Sequence, residues 1–115
     1  MLWAPFFHIY QPPGQMEDIL ERVVNECYRP LVKILQENSK AKITLNINAC
    51  LTEQLYSHGY KDVLDGLKAL AEAGQIEFTE SAKYHAFLPL LPWQEVVRQI
   101  KANHEANSRY FGSVY

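Results

Sequence analysis

The sequence has little sulfur, little net charge and no long apolar run, and each shortage removes a class of function. Its two cysteines, Cys27 and Cys50, make neither a disulfide framework nor a metal motif. The formal net charge is −2 over 115 residues, and no basic cluster interrupts it. That leaves no electrostatic footprint for nucleic acid and no charged tail. No apolar stretch approaches the ~20 residues of a membrane span, so no membrane partner is expected. The opening Met1-Leu2-Trp3-Ala4-Pro5 lacks the basic segment of a secretory signal, and a cytoplasmic location is expected. The length suits one domain or less, and no repeat, low-complexity tract or linker divides residues 1–115.

What is present is a sequence of short strands and amphipathic helices. Leu2 to Ile9 reads as a strand that closes on the turn Gln11-Pro12-Pro13-Gly14. Pro5 has no N–H to donate, so the paired part should begin at or after it. His8 falls at the strand's end, where it either bonds a backbone group or faces a ligand. Met16 to Asn38 reads as a helix with a core stripe of Ile19, Leu20, Val23, Val24, Cys27, Leu31, Ile34 and Leu35. Pro30 is expected to kink or split it. Cys27, on that stripe, reads as a small core residue, and Cys50 as a lone loop thiol.

Ile43 to Asn48 alternates cleanly, with Ile43, Leu45 and Ile47 on one face and Thr44, Asn46 and Asn48 on the other. Two helices follow, Leu51 to Ser57 and Tyr60 to Ala73, stopped by Gly59 and Gly74. Gly66 inside the second should weaken it by ~1 kcal/mol relative to alanine. Ile76 to Thr79 is a strand with Ile76 and Phe78 on one face and Glu77 and Thr79 on the other. Glutamate is depleted in strands, and a buried carboxylate is costly unless paired. Glu77 therefore marks either a face open to water or the lining of a site. The loop Glu80 to Pro92 carries Phe87-Leu88-Pro89-Leu90-Leu91, which is expected to fold against the domain. A last helix runs from Trp93 to about Tyr110, and Val114 and Tyr115 suit the approach to a fourth strand.

Strands separated by helices predict parallel βαβ units with right-handed crossovers. Parallel sheets covered on both faces are apolar throughout. Here two successive strands carry a polar face. A barrel with helices outside and a polar lumen resolves the conflict, with apolar residues turned to the helices. A complete (β/α) barrel needs roughly 200 residues or more, so an α/β fold holding the first three βα units of an incomplete barrel is expected.

Two short patterns carry a family resemblance. His8-Ile9-Tyr10-Gln11-Pro12 resembles the first signature of glycoside hydrolase family 57, a His-x-His-Gln-Pro pattern on the first barrel strand. Gly74-Gln75-Ile76-Glu77 resembles its second, on the third strand. Tyr84-His85 and Pro89-Leu90-Leu91-Pro92 resemble the continuation seen in many members, and the helical segment Tyr28-Arg29-Pro30-Leu31 fits as well. The departure is Tyr10, which stands where many members have the second histidine. The resemblance implies a seven-unit barrel and a retaining enzyme that cleaves, transfers or branches α-glucans without a cofactor. Its two catalytic carboxylates are expected on later strands, so no residue of this chain is read as catalytic. His8, Tyr10, Gln11, Glu77 and His85 are the expected sugar-binding residues, with His85 alternatively tying down its own loop. Trp3, Tyr10 and Tyr84 are candidates to stack on pyranose rings, Trp3 being first a packing residue.

Two other readings use the same residues. A metal-dependent polysaccharide deacetylase or α-mannosidase-like barrel would use His8, Glu77 and His85 as ligands, although no His-x-His or His-x3-His pair supports it. A non-catalytic module that binds glycan or pairs with a copy or partner chain follows from the unpaired edges of an incomplete barrel.

Overall fold

The computed structural model describes Met1 and residues 3–115. Leu2, at the start of the first expected strand, lies outside the described residues. Three strands form one parallel sheet in the order β1 (Phe6–Ile9), β2 (Ile43–Ile47), β3 (Ile76–Thr79). β1 begins immediately after Pro5, whose carbonyl accepts the Thr44 N–H at 3.0 Å. β2 is central and almost wholly buried, while β1 and β3 each present an unpaired edge among the described residues.

The helices are α1 (Glu17–Val23), α2 (Arg29–Glu37), α3 (Ala49–Ser57), α4 (Lys61–Glu72) and α5 (Trp93–Phe111). They bury Leu20, Val24, Leu51, Leu55, Val63 and Leu67 against Ile43, Leu45, Ile47 and Ile76 of the sheet. All of these strand residues share one face, as the alternation predicts. The opposite face, carrying Phe6, His8, Thr44, Asn46, Glu77 and Thr79, takes no part in that core. A parallel sheet covered on one face alone is unusual, and it is consistent with part of a (β/α) barrel.

Pro30 acts through the turn before it. A π-helical turn, Val24–Tyr28, joins α1 to α2, and Pro30 sits in the first turn of α2. Proline cannot bond to the carbonyl four residues back, and its ring crowds that carbonyl, so the ladder widens there. The wider turn shifts the helix's phase. The buried positions become Leu20, Val24, Tyr28, Val32 and Leu35. Cys27 and Ile34, both expected on the core stripe, are exposed instead.

Cys50 also differs from expectation. It lies in α3, is buried, and its Sγ is 3.7 Å from the Gln11 carbonyl that accepts its hydrogen bond. Burial pushes this thiol up to about 11. Iodoacetamide at neutral pH should therefore alkylate Cys27 in the folded protein and spare Cys50 until denaturant is added, since the thiolate is the nucleophile. Mass mapping that finds both labelled at one rate would contradict the burial of Cys50.

The loop after β3 is a further correction. Phe87 and Leu90 stay exposed, and the single turn Leu88–Leu90 has no buried residue. The apolar run there does not fold down onto the domain. Tyr115, by contrast, packs against Phe78 and Phe111 at ring-centroid distances of 5.4 and 6.1 Å. It follows a short 3-10 turn, Gly112–Val114, and no strand is formed there.

Candidate functional site

The sheet register places the site residues in two rows on the open face. His8 pairs with Asn46, and Asn46 with Thr79; Phe6 pairs with Thr44, and Thr44 with Glu77. The rows are two residues apart along the strands, about 6.6 Å. The upper row lies at the C-terminal ends of the strands, which in barrel enzymes is where binding and catalytic groups gather.

The upper row is a hydrogen-bonded chain across all three strands. His8 Nδ1 lies 2.6 Å from Asn46 Oδ1. Asn46 Nδ2 donates to the Thr79 carbonyl and to Thr79 Oγ1, both at 3.2 Å. Above it stand three stacked rings. The centroids of Tyr10 and His85 are 4.4 Å apart, those of His8 and His85 4.8 Å, and those of His8 and Tyr10 6.4 Å. The structure thus brings together three expected site residues, from the end of β1 and from a loop about 75 residues later. Such a ring set offers flat apolar faces beside polar tips, a surface that suits a sugar.

His85 is held in that stack from behind. Its φ of 56° is in the left-handed region, where few non-glycine residues sit and histidine is among the tolerated ones. Conformations of this kind cost on the order of 1–3 kcal/mol and persist where surroundings fix them. Asn48 Nδ2 donates to the Ala82 carbonyl at 2.6 Å and to Ser81 Oγ at 3.0 Å. Lys83 pairs with Glu53 of α3 at 2.8 Å, and the Tyr84 N–H donates to Gln99 Oε1 of α5 at 3.3 Å. The loop is therefore clamped by α3 and α5, and His85 follows directly.

The other expected residues are placed differently. Gln11 uses both ends of its amide inside the protein. Its Nε2 donates to Tyr28 Oη at 3.4 Å, and its Oε1 accepts from Gln15 Nε2 at 2.7 Å. It ties the connection after β1 to the helical layer. Glu77 shares the open face but sits in the lower row, with no side-chain hydrogen bond or ion pair among the described residues. It lines a cleft of about 340 Å³ with Trp3, Ala4, Thr44 and Gln75, at the N-terminal end of the strands. Trp3 is largely exposed there and does not join the ring stack. Tyr84 is half-exposed, with Lys83 Nζ 5.4 Å from its ring centroid, and does not join it either.

Sequence reading gave Asn46 and Thr79 no individual role, although the alternation that sets them on this face was visible. It missed Phe6, an aromatic on the open face. It also missed α5's polar strip. Asn103 and Asn107 are fully buried and bond the end of β2 and the start of α3. No single-residue pattern marks a buried asparagine in an amphipathic helix. Among the described residues no group of three histidine, cysteine or acidic side chains is placed to hold a metal ion. No described helix is long and apolar enough to cross a membrane.

Helices on one face, and histidine, asparagine and threonine lined up on the other, define an α/β layer with one apolar covered face and one polar open face. Comparison with known proteins gives the particular family. The model of glycosyl hydrolase family 57 matches residues 5–114, and the chain belongs to that family. It is 33% identical over 94 residues to an alpha-amylase of Pyrococcus horikoshii, covering 82% of this chain and 15% of the relative. It is 30% identical to a 4-alpha-glucanotransferase of Thermococcus litoralis, covering 82% of this chain and 14% of that protein. The crystal structure of a 4-alpha-glucanotransferase from Thermococcus litoralis superposes with a TM-score of 0.87 at 28% identity, over 95% of this chain and 17% of that one. The chain thus spans about 15% of the length of the curated relatives it matches.

Proposed function

We propose that the open face binds an α-glucan chain, as one part of a retaining α-glycan-active enzyme of the amylase, glucanotransferase or branching type. The observation that carries this reading is the hydrogen-bonded row His8–Asn46–Thr79 beneath the His8, Tyr10 and His85 rings. Family membership supports the substrate class, since the matched relatives are named alpha-amylase and 4-alpha-glucanotransferase. In this reading the rings pack on pyranose faces and His8 bonds a hydroxyl. Glu77 accepts hydroxyls from the adjoining row or tunes a neighbouring carboxylate.

The nucleophile and the acid/base belong to strands beyond this chain. A retaining mechanism needs two carboxyl groups roughly 5–5.5 Å apart. Glu77 is the one carboxylate among the described residues of the three strands. The chain alone should therefore release no sugar from maltoheptaose. No cofactor enters the reading, and a cytoplasmic enzyme acting on stored or imported glucan fits it.

The test is calorimetric titration with maltoheptaose. The wild-type chain should bind saturably. His8→Ala should weaken binding by roughly tenfold, the worth of one hydrogen bond and a ring contact. Glu77→Gln should weaken it by a similar factor. Unchanged affinity in Glu77→Gln would assign that residue to the lower cleft alone, and no binding by wild type would contradict the reading.

A second reading concerns assembly. β1's free edge adjoins an apolar cleft of about 540 Å³ lined by Trp3, Phe7, Leu31, Ile34 and Leu35. Exposed apolar surface beside an unpaired strand favours pairing with a copy or with a chain that completes the barrel. Light scattering should show an oligomer. A concentration-independent monomer would count against this assembly.

A further inference from the structure

Asn46 fixes more than the cross-strand row. Its Nδ2 lies 3.2 Å from the Thr79 carbonyl oxygen. A carbonyl oxygen only accepts, so that end of the Asn46 amide must be its NH2 group. The other end is then the amide oxygen, and it lies 2.6 Å from Nδ1 of His8. An amide oxygen has no hydrogen to give, so the hydrogen between them sits on Nδ1.

We propose that Asn46 is a positioning residue that holds neutral His8 in its Nδ1–H tautomer, so that the Nε2 lone pair faces the ligand as a hydrogen-bond acceptor. Which nitrogen of a histidine carries the proton is set by the bond the other one makes. Here that bond is anchored on backbone: Thr79 orients Asn46, and Asn46 orients His8. Stacking of His8 on His85 at 4.8 Å and on Tyr10 at 6.4 Å fixes the plane of the ring. Nε2 has no protein partner among the described residues.

The consequence is a restriction on the ligand, and it rests on the glycan-binding reading. An acceptor at Nε2 takes a group that brings its own hydrogen. A hydroxyl of an uncharged sugar qualifies. A carboxylate or phosphate brings only lone pairs, so a uronate or sugar phosphate is disfavoured at this position. At this one position Nε2 thereby selects a hydroxyl over an anionic oxygen.

The tautomer is read directly by long-range proton–nitrogen correlation NMR on the full chain, with nitrogen-15-labelled histidine. The spectra are recorded through a pH series and read on its alkaline plateau, where the imidazole signals no longer move. His8→Gln identifies the His8 signals by their loss. The wild-type ring should show a protonated, pyrrole-type Nδ1 and an unprotonated, pyridine-type Nε2. Asn46→Ala should move the proton to Nε2, and Thr79→Val, which keeps the backbone carbonyl, should leave it on Nδ1. A wild-type proton on Nε2, or no change in Asn46→Ala, would overturn the proposal. Where Asn46→Ala fails to fold, the wild-type spectrum decides alone.

Maltotriose at saturation supplies the second arm. It should shift Nε2 upfield as the lone pair becomes hydrogen-bonded. Binding seen at other residues with Nε2 unmoved would overturn the acceptor role. No maltotriose binding anywhere would overturn the glycan reading and leave the tautomer result standing.

Discussion

Asn107→Ala should destabilise the protein by about 3 kcal/mol, because it strips partners from two buried groups at once. Asn107 is fully buried in α5. Its Oδ1 accepts the Thr52 hydroxyl at 2.6 Å, and its Nδ2 donates to the Ile47 carbonyl at 3.1 Å. Ile47 is the last residue of β2, where the chain leaves the sheet for α3. Alanine leaves a buried hydroxyl and a buried carbonyl without partners, and each orphan costs about 1–3 kcal/mol. Asn107→Leu restores volume but not the bonds, so it should be destabilised by a similar amount. Adding Thr52→Val to Asn107→Leu should recover part of the loss, since one orphan is removed along with its partner. Urea unfolding with unchanged m-value reads all three. A loss below about 1 kcal/mol in Asn107→Ala would mean that water or another group satisfies these atoms.

Gly66→Val should destabilise by about 2–3 kcal/mol, despite removing a glycine from a helix interior. Propensity alone favours a side chain there, by up to ~1 kcal/mol for alanine. Packing opposes it. A Cβ on Gly66 would meet Val32 Cγ1 at 2.6 Å. Val32 is buried on α2, and its branched side chain has little rotamer freedom in a helix. Gly66 is thus the point where α4 approaches α2 closely, and not merely a weak spot. Val32→Ala in a Gly66→Ala background should rescue stability, with a coupling of about 1 kcal/mol between neighbours. Additive losses would show that the contact is relieved elsewhere.

The parallel order and the two-faced strands were legible because they rest on period and connection, which the sequence carries explicitly. The alternation of Ile43, Leu45 and Ile47 with Thr44 and Asn46 survives unchanged in the sheet. The stripe of the first long helix survived at Leu20, Val24 and Leu35 but not at Cys27 and Ile34, because Pro30 widens one turn and changes which positions beside it face the core. A 3.6-residue period cannot anticipate a turn whose pitch is set by one missing N–H. The fate of Phe87 and Leu90 was also hidden, since apolar character alone does not say whether a neighbouring surface exists to cover it.

Among the candidate residues, His8 at the end of β1 and Tyr10 just beyond it were legible from their place in the chain. His85 joins them through a fold of the Ser81–Tyr84 loop that depends on Asn48, Glu53 and Gln99, all distant in sequence. Gln11 was expected to face a sugar, yet its amide is bonded to Tyr28 and Gln15, a choice that only tertiary neighbours determine. Glu77 was expected in the same sugar-binding set as His8. Both share a face, but β2 stands between their strands and the register drops Glu77 one row.

The most direct measurement is a map of backbone amide shifts during titration with maltoheptaose. The perturbed amides should cluster on His8, Tyr10, Asn46, Thr79 and His85, with a weaker set around Thr44 and Glu77. Shifts confined to the helices, or none at saturating sugar, would contradict a sugar-binding role for the uncovered side of the sheet.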